Sequence, residues 1–382
     1  MIVNIRALLM SLSALLLCAP VIAWSRFDYV NGGHGWRQGD WLVNFGAGPV
    51  RRGLIGEFLI FLSDTSGVNL LVTTLIVQVI IFSAVAFVLW RIAIRHPAPA
   101  LLLLLVASPA FFLIFFAANP MGSMRKELFG VLAMGLLTLC GIRGKQGLFL
   151  PILAIIAYTI WCIGNILHLF MLPAVLASLH LLHAQGILSR AAVRWLAGVS
   201  IAMALFWFAF ALRYNEISNL ADICAPLLAR GLDMEICNHA IRWLVSGEID
   251  HFGQVLQRLT FMSLVEYGAL ALLCLAPLVI CFSLIAERRY LMFVFAICFI
   301  PLLPLYATAT DWGRWLCLSY TMNALLLLHG TASGRLTLIR QPNTYLVTAL
   351  LCASLLLTPE HSIGWKPDGA LVTIVETIGV FL

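Results

Sequence analysis

The stretch from Ser25 to Phe58 reads SRFDYVNGGHGWRQGDWLVNFGAGPVRRGLIGEF and follows the first apolar segment of the chain. Charged side chains alternate in it with glycines and aromatic rings, although charged residues are only 10% of the whole chain. Soluble domains contain about 25% charged residues. Such a dense polar stretch in so apolar a chain predicts a loop that carries chemistry. Its charged or ionisable side chains include Asp28, His34, Arg37, Asp40, Arg51, Arg52 and Glu57.

The rest of the chain is apolar enough to lie in a membrane. Hydrophobic residues make up 62% of the 382 positions, and the mean hydropathy is +1.00. Many apolar runs approach the ~20 residues that cross a bilayer. The sequence therefore predicts an all-α polytopic membrane protein, a single transmembrane domain over 1–382 with about eleven spans. The predicted spans are 7–24, 68–90, 99–118, 127–141, 148–163, 166–183, 195–212, 268–286, 291–307, 316–331 and 345–357.

The charges of the connecting loops predict an orientation. Alternate loops hold eleven of the 23 basic residues but only one of the 17 acids, Glu287. Because basic residues in short loops stay in the cytoplasm, that side is predicted to be cytoplasmic. The other side then holds 25–67, 119–127, 213–267 and 308–315. The first span, 7–24, has the features of a signal peptide or of an uncleaved first helix, and we favour the helix.

The two long outer loops are predicted to be partly ordered. In the loop 213–267, apolar residues recur at helical spacing, which favours short amphipathic helices at the membrane surface. The same loop holds Cys224 and Cys237, which would pair only in an oxidising compartment. Both pairing and free thiols stay open from the sequence. The other cysteines have no zinc-ligand spacing.

The heptapeptide His34 to Asp40, HGWRQGD, resembles the H-x-W-R-Q-x-D stretch that follows the first helix in bacterial relatives of the protein O-mannosyltransferases. These are GT-C membrane glycosyltransferases, which take sugars from polyprenyl-phosphate carriers. The chain also resembles them in its first acidic outer loop and its surface helices. It lacks the paired acids that GT-C enzymes often show in that loop. The resemblance implies a GT-C-like fold, a polyprenyl-phosphate-linked sugar donor and a glycan or lipid acceptor.

Glycosyl transfer needs a carboxylate base and cations for the leaving phosphate. The matched motif makes Asp40 the first candidate for the base, with Asp28 as a second acid. The candidates for phosphate binding lie at predicted helix boundaries on the outer side: Arg51, Arg52, Arg125, Lys126 and Arg314. Further residues are possible substrate contacts, or else packing, capping and interfacial residues: His34, Arg37, Gln38, Glu127, His168, Asp311 and Trp312.

Other functions stay open from the sequence. O-antigen and capsule polymerases are similar in length and helix count, and two R-x10-G matches, Arg37 to Gly48 and Arg242 to Gly253, do not decide between them. A transporter or flippase of lipid-linked glycans would need polar groups near the middle of the membrane. A scaffold without catalysis is the third option. We expect a bacterial inner-membrane protein with its site facing the periplasm and no nucleic-acid partner. The isolated outer acids neither require nor forbid a divalent cation, Mg²⁺ or Mn²⁺.

Overall fold

A computed structural model describes residues 2–119, 122, 124–245, 251–362, 365–366 and 369–381. The helices are α1 (Ile2–Val30), α2 (Gly53–Ser66), α3 (Leu70–Arg95), α4 (Pro99–Val106), α5 (Phe112–Ala118), α6 (Glu127–Arg143), α7 (Phe149–Gly164), α8 (Leu167–Ala184), α9 (Arg190–Arg213), α10 (Leu220–Leu228), α11 (His251–Arg258), α12 (Phe261–Leu284), α13 (Arg288–Phe299), α14 (Leu303–Thr308), α15 (Trp312–Ala332), α16 (Thr344–Leu356) and α17 (Ala370–Phe381). Two short strands, β1 (Thr358–Pro359) and β2 (Trp365–Lys366), pair antiparallel.

Within the described residues, five helical segments are long and apolar enough to cross a membrane. They are Leu70–Arg95, Leu167–Ala184, Arg190–Arg213, Phe261–Leu284 and Arg288–Thr308, the last combining α13, a 3₁₀ turn and α14. The chain is therefore an all-α protein with membrane-spanning helices, as predicted. Each of the eleven predicted spans coincides with helix, but the count of eleven crossings stays a prediction.

The helices depart from the predicted spans in two places, one of which is a break at a proline. The predicted span 99–118 is divided at Ala107–Phe111, around Pro109, which has no N–H to donate. Ser108 holds this break against α12, because its hydroxyl donates to the carbonyl of Cys274 at 2.8 Å. Helix α1 continues to Val30, beyond the predicted end at residue 24.

The two long outer loops contain the helices expected of them. Helix α2 lies within 25–67, and the loop 213–267 folds into α10, two 3₁₀ turns and α11. Cys224 and Cys237 are disulfide-bonded and buried. Glycines let the two loops touch: a Cβ on Gly39 would lie 2.5 Å from the carbonyl oxygen of Ile236. Short helices are present in this loop, as predicted, while their place at the membrane surface stays a prediction. The pairing that the sequence left open is present.

The helices bring their polar ends together at one end of the bundle, here called the cluster end. The C-termini of α7 and α9 lie there with the N-termini of α2, α6, α8 and α15, as the contacts below show. At the opposite end, His329 of α15 contacts Gln185 after α8, and His96 after α3 contacts Thr331. This antiparallel arrangement places 31–52, 122–126 and 308–314 next to one another.

Candidate functional site

Five basic and three acidic side chains form one group at the cluster end. We call this group the cationic cluster; its members are Arg51, Arg52, Arg125, Lys126, Arg314, Asp40, Glu127 and Asp311. They come from four separate parts of the sequence, and all were predicted as site residues. Lys126 and Asp40 are completely buried, and Arg125 and Arg314 are 4% and 7% exposed. Burial of so many charges away from water is costly unless they are paired.

Asp40 lies at the centre of the cluster, between two arginines. Its Oδ1 is 3.2 Å from Nη1 of Arg52 and 3.6 Å from Nη2 of Arg125. Burial tends to raise the pKa of this carboxyl, but Arg125, Lys126 and Arg52 together lower it to about 2. Asp40 is therefore ionised at neutral pH and, with both arginines in place, is a weak base.

Glu127 forms a second ion pair beside the first. It opens α6 and accepts hydrogen bonds from Arg314 of α15 and, at 2.8 Å, from the amide of Asn165. Arg314 also donates to Asp311 at 2.6 Å. Burial tends to raise the pKa of Asp311, and Arg314 and Arg125 lower it. These contacts join the N-termini of α6 and α15 to the junction of α7 and α8.

Lys126 has little compensation for its buried charge. Among the described residues its ammonium contacts one acceptor, the carbonyl oxygen of Arg52 at 3.2 Å. Burial lowers the pKa of this lysine to about 8, although Asp40 raises it. Three N–H donors are available on an ammonium, so the amine retains capacity for an anionic ligand.

Five buried polar atoms of the cluster have no hydrogen-bond partner within the described parts of the chain. They are Asp40 Oδ2, Glu127 Oε2 and the Nε atoms of Arg51, Arg52 and Arg125. Native structures leave few such atoms, and each one needs an explanation. Five cations face only three acids in the cluster, and the exposed carboxylate of Glu216, outside it, raises the pKa of Arg51. The cluster therefore has excess positive charge and unused donors.

Arg51 faces a pocket between α7, α8 and α9. Arg51 and Arg52 line this pocket together with Asn165, Trp207 and Phe210. Burial lowers the pKa of Arg51 to about 10. His168 also lines the pocket, but its ring contacts the carbonyl oxygens of Asn165 and Ala204, the latter at 2.9 Å. It is buried and hydrogen-bonded, which favours a packing role.

Asp28 and Arg37 form a separate buried pair. Both carboxylate oxygens of Asp28 accept from the Arg37 guanidinium, one of them at 2.7 Å, and that guanidinium lies 5.7 Å from the ring of Trp24. His34 caps the same turn: its Nδ1 accepts from the backbone N–H of Trp36 at 3.1 Å. Burial, then Arg37, lowers the pKa of His34 to about 4. The pairing favours a structural role for Asp28.

Gln38 and Trp41 support the turn that carries Arg125 and Lys126. Gln38 donates to Gln78 of α3 at 3.0 Å, and Gln78 donates in turn to the carbonyl oxygen of Met124 at 3.0 Å. Trp41 Nε1 donates to the same carbonyl at 2.7 Å. Met124 and Arg52 are the two non-glycine residues with positive φ in the described chain, at 57° and 69°. Such strained residues occur preferentially at functional sites.

A stack of rings covers Arg125 on its outer side. Its guanidinium lies 5.6 Å from the ring of Trp36, which stacks on His239 with the ring centroids 5.5 Å apart. The ring centroid of Trp243 lies 5.7 Å from that of Trp36. The loop 213–267 thus contributes to the site by holding Trp36 against Arg125, which the motif alone did not reveal.

Some residues of the site were missed and one candidate packs elsewhere. Gln78 and Asn165 bond directly to site segments, and His361 is electrostatically coupled to Asp311 and Arg314. The sequence signal that could have identified Gln78 is its polar amide within an otherwise apolar span, since such residues are often functional. Trp312 is 8% exposed and donates to the carbonyl oxygens of Tyr306 and Ala309. It packs against the chain and does not present a face for a sugar.

Comparisons with known protein families, characterised proteins and solved structures found no match to this chain. Its function therefore has to be argued from the cationic cluster itself.

Proposed function

We propose that this chain is a membrane glycosyltransferase that moves a sugar or oligosaccharide from a polyprenyl phosphate or diphosphate carrier to a glycan or lipid acceptor. A polysaccharide polymerase is included in this class. The proposal extends the resemblance of HGWRQGD to GT-C enzymes and includes the eleven-span, GT-C-like arrangement predicted from the sequence. One observation supports it most: a buried cluster with excess positive charge at one end of an apolar bundle.

The unused donors of the cluster fit a phosphate better than another group. Phosphate oxygens accept hydrogen bonds from guanidinium and ammonium groups, and two parallel bonds from one arginine fix their position. Arg51, Arg52, Arg125 and Lys126 present the unused donors. Their burial strengthens each electrostatic contact, because the dielectric is low. A carrier that is itself a lipid would reach this end of the bundle from the membrane.

The same contacts suggest how Asp40 becomes a base. In the proposed reaction the acceptor hydroxyl oxygen bonds to the anomeric carbon, the bond from that carbon to the phosphate oxygen breaks, and the phosphate keeps the electron pair. The hydroxyl proton passes to a carboxylate. Phosphate binding would draw Arg52 and Arg125 away from Asp40, which raises the basicity of its carboxylate. Asp40 Oδ2 and Glu127 Oε2, to which no described residue donates a hydrogen bond, are the oxygens that would accept the proton or hold a divalent cation.

The orientation is part of the proposal. We infer a bacterial inner-membrane protein whose cluster end faces the periplasm. The disulfide Cys224–Cys237 lies in the loop that covers the cluster end, and disulfides persist in oxidising compartments such as the periplasm. Basic residues in the loops of the opposite end agree with a cytoplasmic location for that end.

The proposal is tested with a single-charge series. Purified Arg125→Gln and Lys126→Gln are assayed for sugar transfer from a polyprenyl-linked donor and for binding of undecaprenyl phosphate. Each is expected to lose transfer by about 100-fold or more, as when one transition-state contact is removed. Arg230→Gln is the matched control, because Arg230 is at the same end but pairs with Asp64 on the surface, 2.6 Å away.

Two outcomes would contradict the proposal that the chain is a glycosyltransferase. Wild-type activity in both cluster variants would remove the cluster from the reaction. Movement of a labelled lipid-linked glycan across the membrane, without new glycosidic bonds, would instead favour the transporter. The burial of the charges at one end of the bundle, away from its middle, favours the enzyme over that alternative.

A further inference from the structure

A second basic site lies at the opposite end of the bundle, outside the proposed reaction. A cavity of about 640 Å³ opens there between the turn from α12 to α13 and the turn that follows α15. Arg288, Arg289 and Arg335 line it together with Glu287 and Tyr290. All three arginine side chains are exposed.

Backbone hydrogen bonds between the two turns make the cavity a preformed one. The N–H of Ala286 donates to the carbonyl of Thr337 at 3.1 Å, and that of Ile339 donates to Leu284 at 2.9 Å. The buried side chain of Leu336 packs on Gly330 beneath them. The arginines are therefore carried by a fixed frame, which lowers the entropic cost of binding a ligand.

The charges in the cavity are unbalanced. Glu287 is the one acid that lines it, and its Oε2 accepts a hydrogen bond from the backbone N–H of Thr337 at 2.8 Å. Three guanidinium groups thus share one carboxylate that already holds the frame together. Guanidinium groups bind phosphate oxygens in pairs of parallel hydrogen bonds, so a phosphate diester suits the site.

Exposed apolar side chains border the arginines. Met292 and Phe293, about one turn further along α13, are 59% and 52% exposed, and Ile339 is 59% exposed. In a membrane-spanning protein such residues contact acyl chains, while arginines at the helix ends lie at the depth of the headgroups. We propose that this cavity binds the phosphate headgroup of an anionic phospholipid from the leaflet at that end. A soluble phosphate has no apolar part that would contact these side chains.

The test compares lipid binding by two double variants. Wild-type protein, Arg288→Gln/Arg335→Gln and Arg190→Gln/Arg194→Gln are placed in nanodiscs that contain phosphatidylglycerol or only phosphatidylcholine. Bound lipid is counted by native mass spectrometry. The second double variant is matched, since it removes two exposed arginines from the same end but outside the cavity. Every exposed arginine at this end adds diffuse attraction to an anionic surface, but only the cavity variant loses direct guanidinium hydrogen bonds to the phosphate. It should therefore bind phosphatidylglycerol at least about tenfold more weakly than the control variant.

Three results would overturn the proposal. These are equal phosphatidylglycerol binding by all three proteins, an equal loss in the control, and displacement of the lipid by inorganic phosphate, which would indicate a site for soluble anions. Should the cavity variant fail to fold, the wild-type protein is titrated with salt: screening must weaken phosphatidylglycerol binding and leave phosphatidylcholine unchanged. Sugar transfer is not measured, so the result does not depend on the proposed enzyme.

Discussion

At the scale of single residues, Lys126 is the most sensitive reporter of the cationic cluster. Its buried ammonium has one described acceptor, and burial lowers its pKa to about 8. Below that pH the ammonium is charged and can hold a phosphate; above it the charge is lost. We therefore expect the affinity for undecaprenyl phosphate to fall progressively as the pH rises above about 8.

The control variant for this prediction keeps a positive charge at position 126 at high pH. In Lys126→Arg the guanidinium stays protonated over the same range, so binding measured by isothermal titration should lose most of its pH dependence between pH 7 and 9. The same decline in both proteins would mean that another group titrates. Absolute affinity is expected to fall in the variant, because the longer side chain has to fit a fully buried site.

Variants of Asp28 and Asp40 compare a carboxylate with a structural role and the carboxylate proposed to be catalytic. Asp28→Asn breaks the buried pair with Arg37, and loss of one partner of such a pair costs about 3 kcal/mol or more. We expect a lower unfolding temperature but nearly normal transfer per folded molecule. Asp40→Asn should lose transfer by about 100-fold or more even where thermal unfolding shows folded protein. If Asp40→Asn kept the full rate of sugar transfer, the base would have to be Glu127 or Asp311.

The side chains of the cluster could be predicted from the sequence, but their partners could not. The HGWRQGD motif predicted Asp40, and the unusual position of charges at helix boundaries in an apolar chain predicted Arg52, Arg125 and Lys126. Which acid pairs with which base depends on loops that are far apart in sequence; Arg125 and Asp40 are an example. Trp36 illustrates the same limit, since His239, which stacks on it, comes from the second loop.

At the scale of elements, the helices were predictable because hydropathy is a local property. The sequence did not predict the breaks inside spans, because a proline break is tolerated only where neighbouring groups satisfy the freed backbone. Helix α15 supplies such contacts at the break between α4 and α5: Thr321 Oγ1 accepts from the N–H of Phe112 at 3.1 Å, and the Tyr320 hydroxyl donates to the carbonyl of Leu105 at 2.7 Å. The same reasoning applies to close approaches: Gly313 of α15 touches the segment 358–362, which no periodicity connects to it.

Gly313 offers a test of that packing. A Cβ at this position would lie 1.6 Å from the carbonyl oxygen of Glu360, so Gly313→Ala must push the segment away from the N-terminus of α15. Overpacking of this kind costs about 1–3 kcal/mol. We expect a lower unfolding temperature and, because Arg314 is next to it, weaker phosphate binding.

Gly198 of α9 is the matched control. A Cβ there meets nothing within 4 Å, and alanine favours a helix over glycine by up to about 1 kcal/mol. Gly198→Ala should therefore unfold at the wild-type temperature or slightly higher. Equal stability of Gly313→Ala and Gly198→Ala would show that the segment 358–362 is not packed against α15 in the native protein.

At the scale of the whole molecule, the path of the chain through α7, α8 and α9 fixes which side carries the cationic cluster. Lys145 precedes these helices and Glu216 follows them, and both side chains are exposed. On the predicted span count, each of these three helices crosses the membrane, which would place the two residues on opposite sides. We expect the side of Glu216 to be the oxidising one, because the disulfide at Cys224 lies eight residues beyond it.

Cysteine labelling tests this arrangement in cells. A membrane-impermeant maleimide should modify Glu216→Cys in intact spheroplasts and Lys145→Cys only in inverted vesicles, each measured against the parent chain. The native pair gives an independent reading of the compartment's redox state: in denatured protein, Cys224 and Cys237 should react with a maleimide only after reduction. If both introduced cysteines react from one side, an even number of crossings separates them. The cluster end and the basic opposite end would then share a compartment, and a periplasmic phosphate site would have to be abandoned even if the cluster binds phosphate in detergent.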